Sequence, residues 1–152
     1  MGVTMNMSTI DPEVIQYILA LLNIPPYRST DDGQAHDTLI VRQIIRFMDE
    51  MPGGFFIYHA DGDEKLIFAN QAMLRIFQCE TLDEFRALTG NSFRGIVHPD
   101  DLEEVEQSIQ EQIAASQYDL DYIEYRITRK DGSVRWIEDY GHFIRNRSVG
   151  DI

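Results

Sequence analysis

The stretch from Asp119 to Arg147, DLDYIEYRITRKDGSVRWIEDYGHFIRNR, decides the fold. Two runs rich in β-branched and aromatic residues flank Lys130-Asp131-Gly132-Ser133. Asp-Gly between such runs signals a tight hairpin turn, because both central residues take positive φ. With Asp131 and Gly132 as the two loop residues, Lys130 faces Ser133, Ile127 opposes Trp136, Tyr125 opposes Glu138 and Ile123 opposes Tyr140. One face of the predicted hairpin then carries Ile123, Tyr125, Ile127, Val134, Trp136 and Tyr140, with Glu138 among them. A hairpin is marginal alone, so the preceding residues must supply further strands and a helical layer to cover that face.

The rest of the chain is long enough for one domain with a proper core and a short helical extension; its 152 residues do not suggest two full domains. Lys and Arg total 13 against 26 Asp and Glu, a formal charge of −13, which argues against nucleic acid or an anionic membrane as the main partner. The single cysteine, Cys79, excludes an internal disulfide framework and a Cys-based zinc cluster and fits a reducing compartment. No apolar run is long enough to span a bilayer, and the N-terminus lacks the basic flank and apolar core of a signal peptide. A cytoplasmic location without membrane insertion is the expectation.

In chain order, residues 1–36 are expected to hold a helix over about 11–22, started by Asp11-Pro12-Glu13, and then a polar linker ending in Tyr27 to His36. Residues 37–51 read as a connecting helix. Val41, Ile44, Met48 and Met51 repeat there at alternating spacings of three and four, a heptad-like seam that suits either packing on its own domain or a dimer. Residues 52–152 form the main domain. Phe55–His59 and Lys65–Ala69 read as a short first hairpin, Asn70 as a helix cap, and Thr81-Leu82-Asp83-Glu84 as a capping box. A longer helix is expected from Pro99 to about Ser116, its early carboxylates favoured by the positive end of the helix dipole.

The order of strand, strand, short helices, longer helix and long hairpin, together with Ala69-Asn70, His98-Pro99-Asp100-Asp101 and Arg129-Lys130-Asp131-Gly132-Ser133 followed by Arg135-Trp136-Ile137, resembles the PAS family over residues 52–152. The closest likeness is to the subgroup with HPDD and DG-x-x-x-W features. The resemblance implies an α+β fold, with helices on one face of an antiparallel sheet of which four strands of five are present, preceded by N-terminal helices. It implies a sensory or dimerisation module that binds a small molecule or partner and relays the signal to a fused output domain, such as a diguanylate cyclase, a cyclic-di-nucleotide phosphodiesterase or a histidine kinase. No output domain lies in this chain. The family's fifth strand should follow Ser148–Ile152, so the natural protein is expected to continue, with the open edge of Phe55–His59 filled by another segment or chain.

No arrangement of residues points to an enzyme. No Gly-rich phosphate loop, nucleophile elbow or metal-binding His pair is present, and His36, His59, His98 and His142 share no ligand spacing. Cys79 lacks the Asn-Cys-Arg setting of flavin photochemistry, and His98, just before Pro99, reads as a helix-orienting residue ahead of a haem ligand. No cofactor is therefore expected. A small-molecule pocket, if formed, should lie between the sheet and the short helices, lined by Tyr58, Phe68, Met73, Phe77, Phe93, Ile96, Tyr125 and Trp136, with Glu138 as its polar member. Large aromatics at these places equally make a filled core. The leading expectation is a homodimeric sensory module. A purely structural interaction domain is the alternative, and a haem- or flavin-bound redox sensor ranks last.

Overall fold

The computed structural model describes residues 10–26 and 30–152, the side chains of 30–32 excepted. Asp11 opens the first helix, α1 (Pro12–Leu21), its carboxylate accepting from the Glu13 N–H at 2.9 Å, with Pro12 where its missing N–H leaves no bond unmade. The second helix, α2 (Thr30–Asp49), begins earlier than the sequence suggested. Positions 30–36, expected as linker, are helical, and the Thr38 hydroxyl donates to the Gln34 carbonyl at 2.7 Å. A polar composition suits a solvated helix face as well as a loop, so composition alone could not separate them. The rest of the expected linker, 27–29, and the unpatterned segment 1–9 lie outside the described residues.

The apolar side of α2 is turned into its own chain. Val41, Ile45 and Met48 pack with Val14, Tyr17, Ile18 and Leu19 of α1 against Ile57, Ile67 and Phe68. Of the seam Val41, Ile44, Met48 and Met51, the members Val41 and Met48 are thus buried within the chain and not offered to a partner; Met51 is exposed and Ile44 half-buried. The target of this packing is the first hairpin, β1 (Phe56–Tyr58) and β2 (Leu66–Ala69), paired as Phe56 with Ala69, Ile57 with Phe68 and Tyr58 with Leu66. Ile67 is the extra residue of a bulge, and both Ile67 and Phe68 pack with the N-terminal helices. Leu66 and Ala69 join the other core, with Met73, Leu74, Phe77, Phe85, Phe93 and Ile96.

Asn70 joins the two layers. Its Oδ1 accepts from the Met73 N–H at 3.0 Å, capping α3 (Gln71–Ile76) as expected, and also from the Phe55 N–H at 2.8 Å. Its Nδ2 donates to the carbonyls of Met48 at 2.9 Å and Gly53 at 3.1 Å. This fully buried amide therefore ties the end of α2 to β1 and α3 with all its donors and acceptors used. The capping box forms at α4 (Leu82–Thr89): the Thr81 hydroxyl accepts from the Glu84 N–H, while the Glu84 carboxylate reaches the Glu80 N–H at 2.9 Å. A 3₁₀ turn at Phe93–Gly95 follows.

The longest core-side helix, α5 (Leu102–Ala115), starts three residues later than Pro99. His98 to Asp101 form a turn instead, with the Asp101 N–H bonded to the His98 carbonyl at 2.9 Å and the Asp100 N–H to His98 Nδ1 at 3.2 Å. The Asp101 carboxylate grips Arg126 instead of capping, accepting from its backbone N–H at 2.9 Å and its Nε at 3.0 Å.

Arg126 lies on the second hairpin, β3 (Leu120–Thr128) and β4 (Val134–His142), whose register corrects the sequence reading. Ile127 pairs with Arg135, Tyr125 with Ile137, Ile123 with Asp139 and Arg126 with Trp136. The loop has three residues, Lys130 to Gly132, closed by the Gly132 N–H to the Arg129 carbonyl at 2.8 Å and the Arg129 N–H to the Ser133 carbonyl at 2.9 Å. Gly132, with φ of 83°, takes the left-handed position that such a loop needs. Contacts outside the hairpin select it: the Lys130 N–H, which the shorter turn would have bonded to Ser133, donates to the Phe77 carbonyl at 3.1 Å, and the Asp131 N–H goes to Gln78 Oε1 at 3.2 Å. One residue of slip inverts β4. Trp136, Glu138 and Tyr140 face outward and are exposed, while Ile137 and Asp139 face inward, where Ile123, Tyr125 and Ile127 join the core.

The fold is thus α+β; among the described residues four strands form two antiparallel pairs that do not bond to each other. Asp151 and Ile152 lie between them. Ile152 exchanges both backbone bonds with Ile144, at 2.7 and 3.0 Å, and the Ala60 N–H donates to the Asp151 carbonyl at 3.0 Å. Beyond that point, the edge of β1 that was expected to be filled makes no strand pairing among the described residues.

Candidate functional site: the cleft between the hairpins

The unpaired edges of β1 and β4 border a cleft of about 620 Å³, floored by α3, the 3₁₀ turn and α5. One wall is aromatic. Tyr58 stacks on Phe93 with ring centres 4.5 Å apart and planes 7° apart, and Phe56 stacks on both at 5.9 and 6.1 Å. Phe56 and Tyr58 stand two apart on β1 and so share the core side of the hairpin.

The opposite wall is acidic. Asp121 and Asp139 occupy inward positions of β3 and β4. The Tyr125 hydroxyl donates to Asp139 Oδ2 at 2.7 Å. Burial pushes the Asp139 carboxyl up, partly offset by that hydrogen bond. Burial, and then the charge of Asp139, push the Asp121 carboxyl up to about 6. A Cβ at Gly141, the cross-strand partner of Asp121, would lie 2.6 Å from Asp121 Oδ1, so the carboxylate would have to shift. The side chain missing at position 141 is what lets the Asp121 carboxylate fold over β4.

At the α5 side, Arg94 Nε stands 3.1 Å from Glu106 Oε1 and 3.6 Å from Glu64 Oε2. Burial and then the nearby Glu106 push Glu64 up, against the pull of Arg94. The carboxylates of Glu64, Glu106, Asp121 and Asp139, with Glu138 at the edge, therefore border a cleft whose remaining lining is mostly aromatic and aliphatic, which suits hydrogen-bond donors more than acceptors. No group of three or more His, Cys, Asp or Glu side chains among the described residues could hold a metal ion.

Of the residues expected to line a pocket, Tyr58, Met73 and Phe93 border this cleft. Tyr125 is buried beneath it and reaches it through Asp139. Phe77 and Ile96 belong to the closed core, and Phe68 faces the N-terminal helices. Trp136 and Glu138 are placed outside by the register; Glu138 borders the cleft by its position in β4 but sits opposite Glu124 on the outer, exposed face. Asp121, Asp139, Glu64 and Glu106 escaped the sequence reading. The one signal for them was Gly141 late in a β-prone run, since a strand glycine marks a close approach by another group.

Residues 66–150 match the PAS fold family model, more than half of the chain. This chain belongs to the PAS fold family. The match starts inside the first hairpin and carries no subgroup assignment, so the HPDD turn stands on its geometry, as the clamp on Arg126. PAS domains are in general sensory modules and not catalysts.

Among solved structures, an RNA-binding light-oxygen-voltage receptor matches at 21% identity with a TM-score of 0.56, over 82% of this chain and 33% of the receptor. The chain thus spans about a third of that receptor's length, and the likeness is one of fold. The PAS domain of a GGDEF family protein from Chromobacterium violaceum ATCC 12472 matches at 25% identity with a TM-score of 0.30, over 65% of this chain and 86% of that one. A comparison with curated proteins finds no match. No helix among the described residues is long and apolar enough to cross a membrane.

Proposed function

We propose that this PAS domain senses a small molecule that offers hydrogen-bond donors to Asp121 and Asp139 and a flat or aliphatic surface to Tyr58 and Phe93, and that it relays occupancy to an output domain. The observation that carries the reading is the inward Asp121–Asp139 pair, two carboxyls with raised affinity for protons on an aromatic cleft. A donor-bearing ligand supplies these carboxylates with hydrogen bonds that offset their burial and repulsion, so it shifts the population toward the arrangement of the two hairpins that binds it more tightly. Asn70 supports the relay. It couples β1, at the cleft, to the last turn of α2 through the Met48 carbonyl.

The test is a thermal-shift screen of small amines, amides, polyols and carboxylates at pH 5 and pH 8, on the wild-type chain and on Asp121→Asn and Asp139→Asn. Donor-rich compounds should raise Tm, more at pH 8 for cations, and the two variants should lose most of the rise. If carboxylates stabilise best, or if the variants respond like wild type, the reading fails.

A second reading is favoured by the Asp151–Ile152 rungs: the gap between β1 and β4 accepts extended backbone, as an interaction module would. An added strand-forming peptide should then bind with little change in Asp121→Asn, because main-chain bonds and not carboxylates hold it.

A further inference from the structure

A second cavity, of about 200 Å³, lies where the first turn of α1 meets the start of β2 and the residues at the end of α4. It shares no residue with the cleft between the hairpins. Asp11, Glu13 and Lys65 of its lining precede the family match, which begins at residue 66, whereas Arg86 and Asn91 lie within it. The family fold alone therefore does not build this cavity. The packing of α1 completes it, and Val14 and Ile67, from the layer between α1 and β2, give it an apolar part.

The polar groups around the cavity are held in place but poorly matched. Asn91 has a left-handed backbone, with φ of 57°, and both of its main-chain groups are used. Its N–H donates to the Arg86 carbonyl at 2.8 Å, and its carbonyl accepts from the Leu66 N–H at 3.0 Å. The side chain is thereby fixed at the seam, where its Oδ1 is shut off from solvent and has no hydrogen-bond partner. A buried acceptor in that state is costly until a donor meets it. The two cations are also loosely held. Lys65 Nζ stands 3.7 Å from Glu13 Oε2, and Arg86 Nη1 stands 3.9 Å from Asp83 Oδ1, both longer than a hydrogen bond. Asp11 spends its Oδ1 on the Glu13 N–H as the cap of α1.

Two cations and two carboxylates cancel, so the lining favours neither a bare anion nor a bare cation. We propose that the cavity binds a free α-amino acid with a small side chain. Its carboxylate meets Lys65 and Arg86, its ammonium meets Asn91 Oδ1 and the Glu13 carboxylate, and its side chain rests on Val14 and Ile67. The carboxylate replaces two long ion pairs by charge-assisted hydrogen bonds, and the ammonium supplies the donor that Asn91 lacks. The volume lies below the roughly 300 Å³ at which pockets for drug-sized molecules begin, which keeps the ligand small. Once bound, the molecule bridges α1 to β2 and α4, so the docking of the N-terminal helices depends on occupancy. The proposal stands independently of what fills the cleft, because the two sites have no lining residue in common.

Magnetic resonance of the isotope-labelled chain, titrated with L-alanine and L-serine, should show saturable shifts at the Asn91 side-chain amide and the Glu13 N–H, with slower amide exchange along α1. Propionate and ethylamine, the two halves of alanine, should each bind about tenfold or more weaker than the whole. Asn91→Gly removes the amide and suits the positive φ, and Arg86→Gln removes the charge from a partly exposed side chain. Each variant should weaken binding about tenfold or more, and melting curves check that both remain folded; Arg86→Gln carries the test if Asn91→Gly does not fold. The proposal is overturned by the absence of a saturable shift with either amino acid, by a half that binds as well as the whole, by folded variants that bind like wild type, or by unchanged exchange along α1 at saturation. Shifts centred on Tyr58 and Asp121 overturn it equally, since they place the amino acid in the cleft and leave the reading of that cleft standing.

Discussion

The two hairpins have opposite surroundings, and their compositions follow: β1 and β2 are wholly aliphatic or aromatic, while β3 and β4 intersperse charged residues. The first is covered on both faces, by α1 and α2 on one side and by the 3₁₀ turn and core helices on the other, so all four residues of β2 are buried in succession. The second is covered on its inner face alone, and burial alternates along β3. A strand enclosed on both sides needs no alternation, whereas one with a free face shows it. The difference teaches that the N-terminal helices are part of the fold, filling for the first hairpin a role that nothing among the described residues fills for the second.

Breaking the covered side should have the largest effect. Phe68→Ala, which empties the layer between β2 and the N-terminal helices, is expected to cost roughly 3–5 kcal/mol in urea unfolding. If the helices docked only loosely, the variant would instead lose helix signal in a separate early step and leave the main transition in place. Asn70→Ala should follow at about 3 kcal/mol, because it strands the buried backbone groups of Met48 and Met73 together with the part-buried ones of Gly53 and Phe55. Asn70→Asp, which keeps the acceptor and loses the donors, should cost less at the α3 cap, as amide exchange at Met73 would show.

The sequence carried the elements of both hairpins and the caps, because Asp11, Asn70 and Thr81 act through bonds a few residues away. It misplaced what depended on distant partners. The Asp131-Gly132 turn looked like a two-residue loop until Phe77 and Gln78 took the N–H groups of Lys130 and Asp131, and that single residue moved Trp136 from core to surface. The bulge at Ile67 moved Phe68 to the other face in the same way. The carboxylates of the cleft stayed hidden because their inward positions follow from the corrected register, and an Asp on a strand otherwise reads as solvated.

The free hairpin should also carry opposing pH signals. The Arg126 hydrogen bonds hold the Asp101 carboxyl down at about 2, so that clamp contributes above pH ~4 and is lost as pH falls below it. Asp121 lies the other way, raised from 3.8 to about 6, so the folded chain holds a proton that the unfolded chain has lost, and stability falls as pH rises across that window. Asp121→Asn should remove the fall and leave the chain more stable at pH 7 by on the order of 1 kcal/mol, discounted because the carboxyl is partly solvated. Unfolding midpoints from pH 3 to pH 8 read both slopes, and an unchanged profile in Asp121→Asn would place that carboxylate in open solvent.

The smallest effect sharpens the comparison most. Trp136 is the largest side chain on the second hairpin, and the sequence reading made it core, where truncation costs roughly 3–5 kcal/mol. In the structure it contacts its surroundings mainly through Arg126, whose guanidinium lies 5.8 Å over the ring and is held in any case by Asp101. Trp136→Ala, measured at concentrations low enough to keep the chain monomeric, should therefore change stability by no more than about 0.5 kcal/mol, as for other surface positions. A cost several times larger would mean that the register is the two-residue one after all and that both hairpins bury their aromatic faces. A small cost in the monomer that grows with protein concentration would locate the missing cover on a second copy.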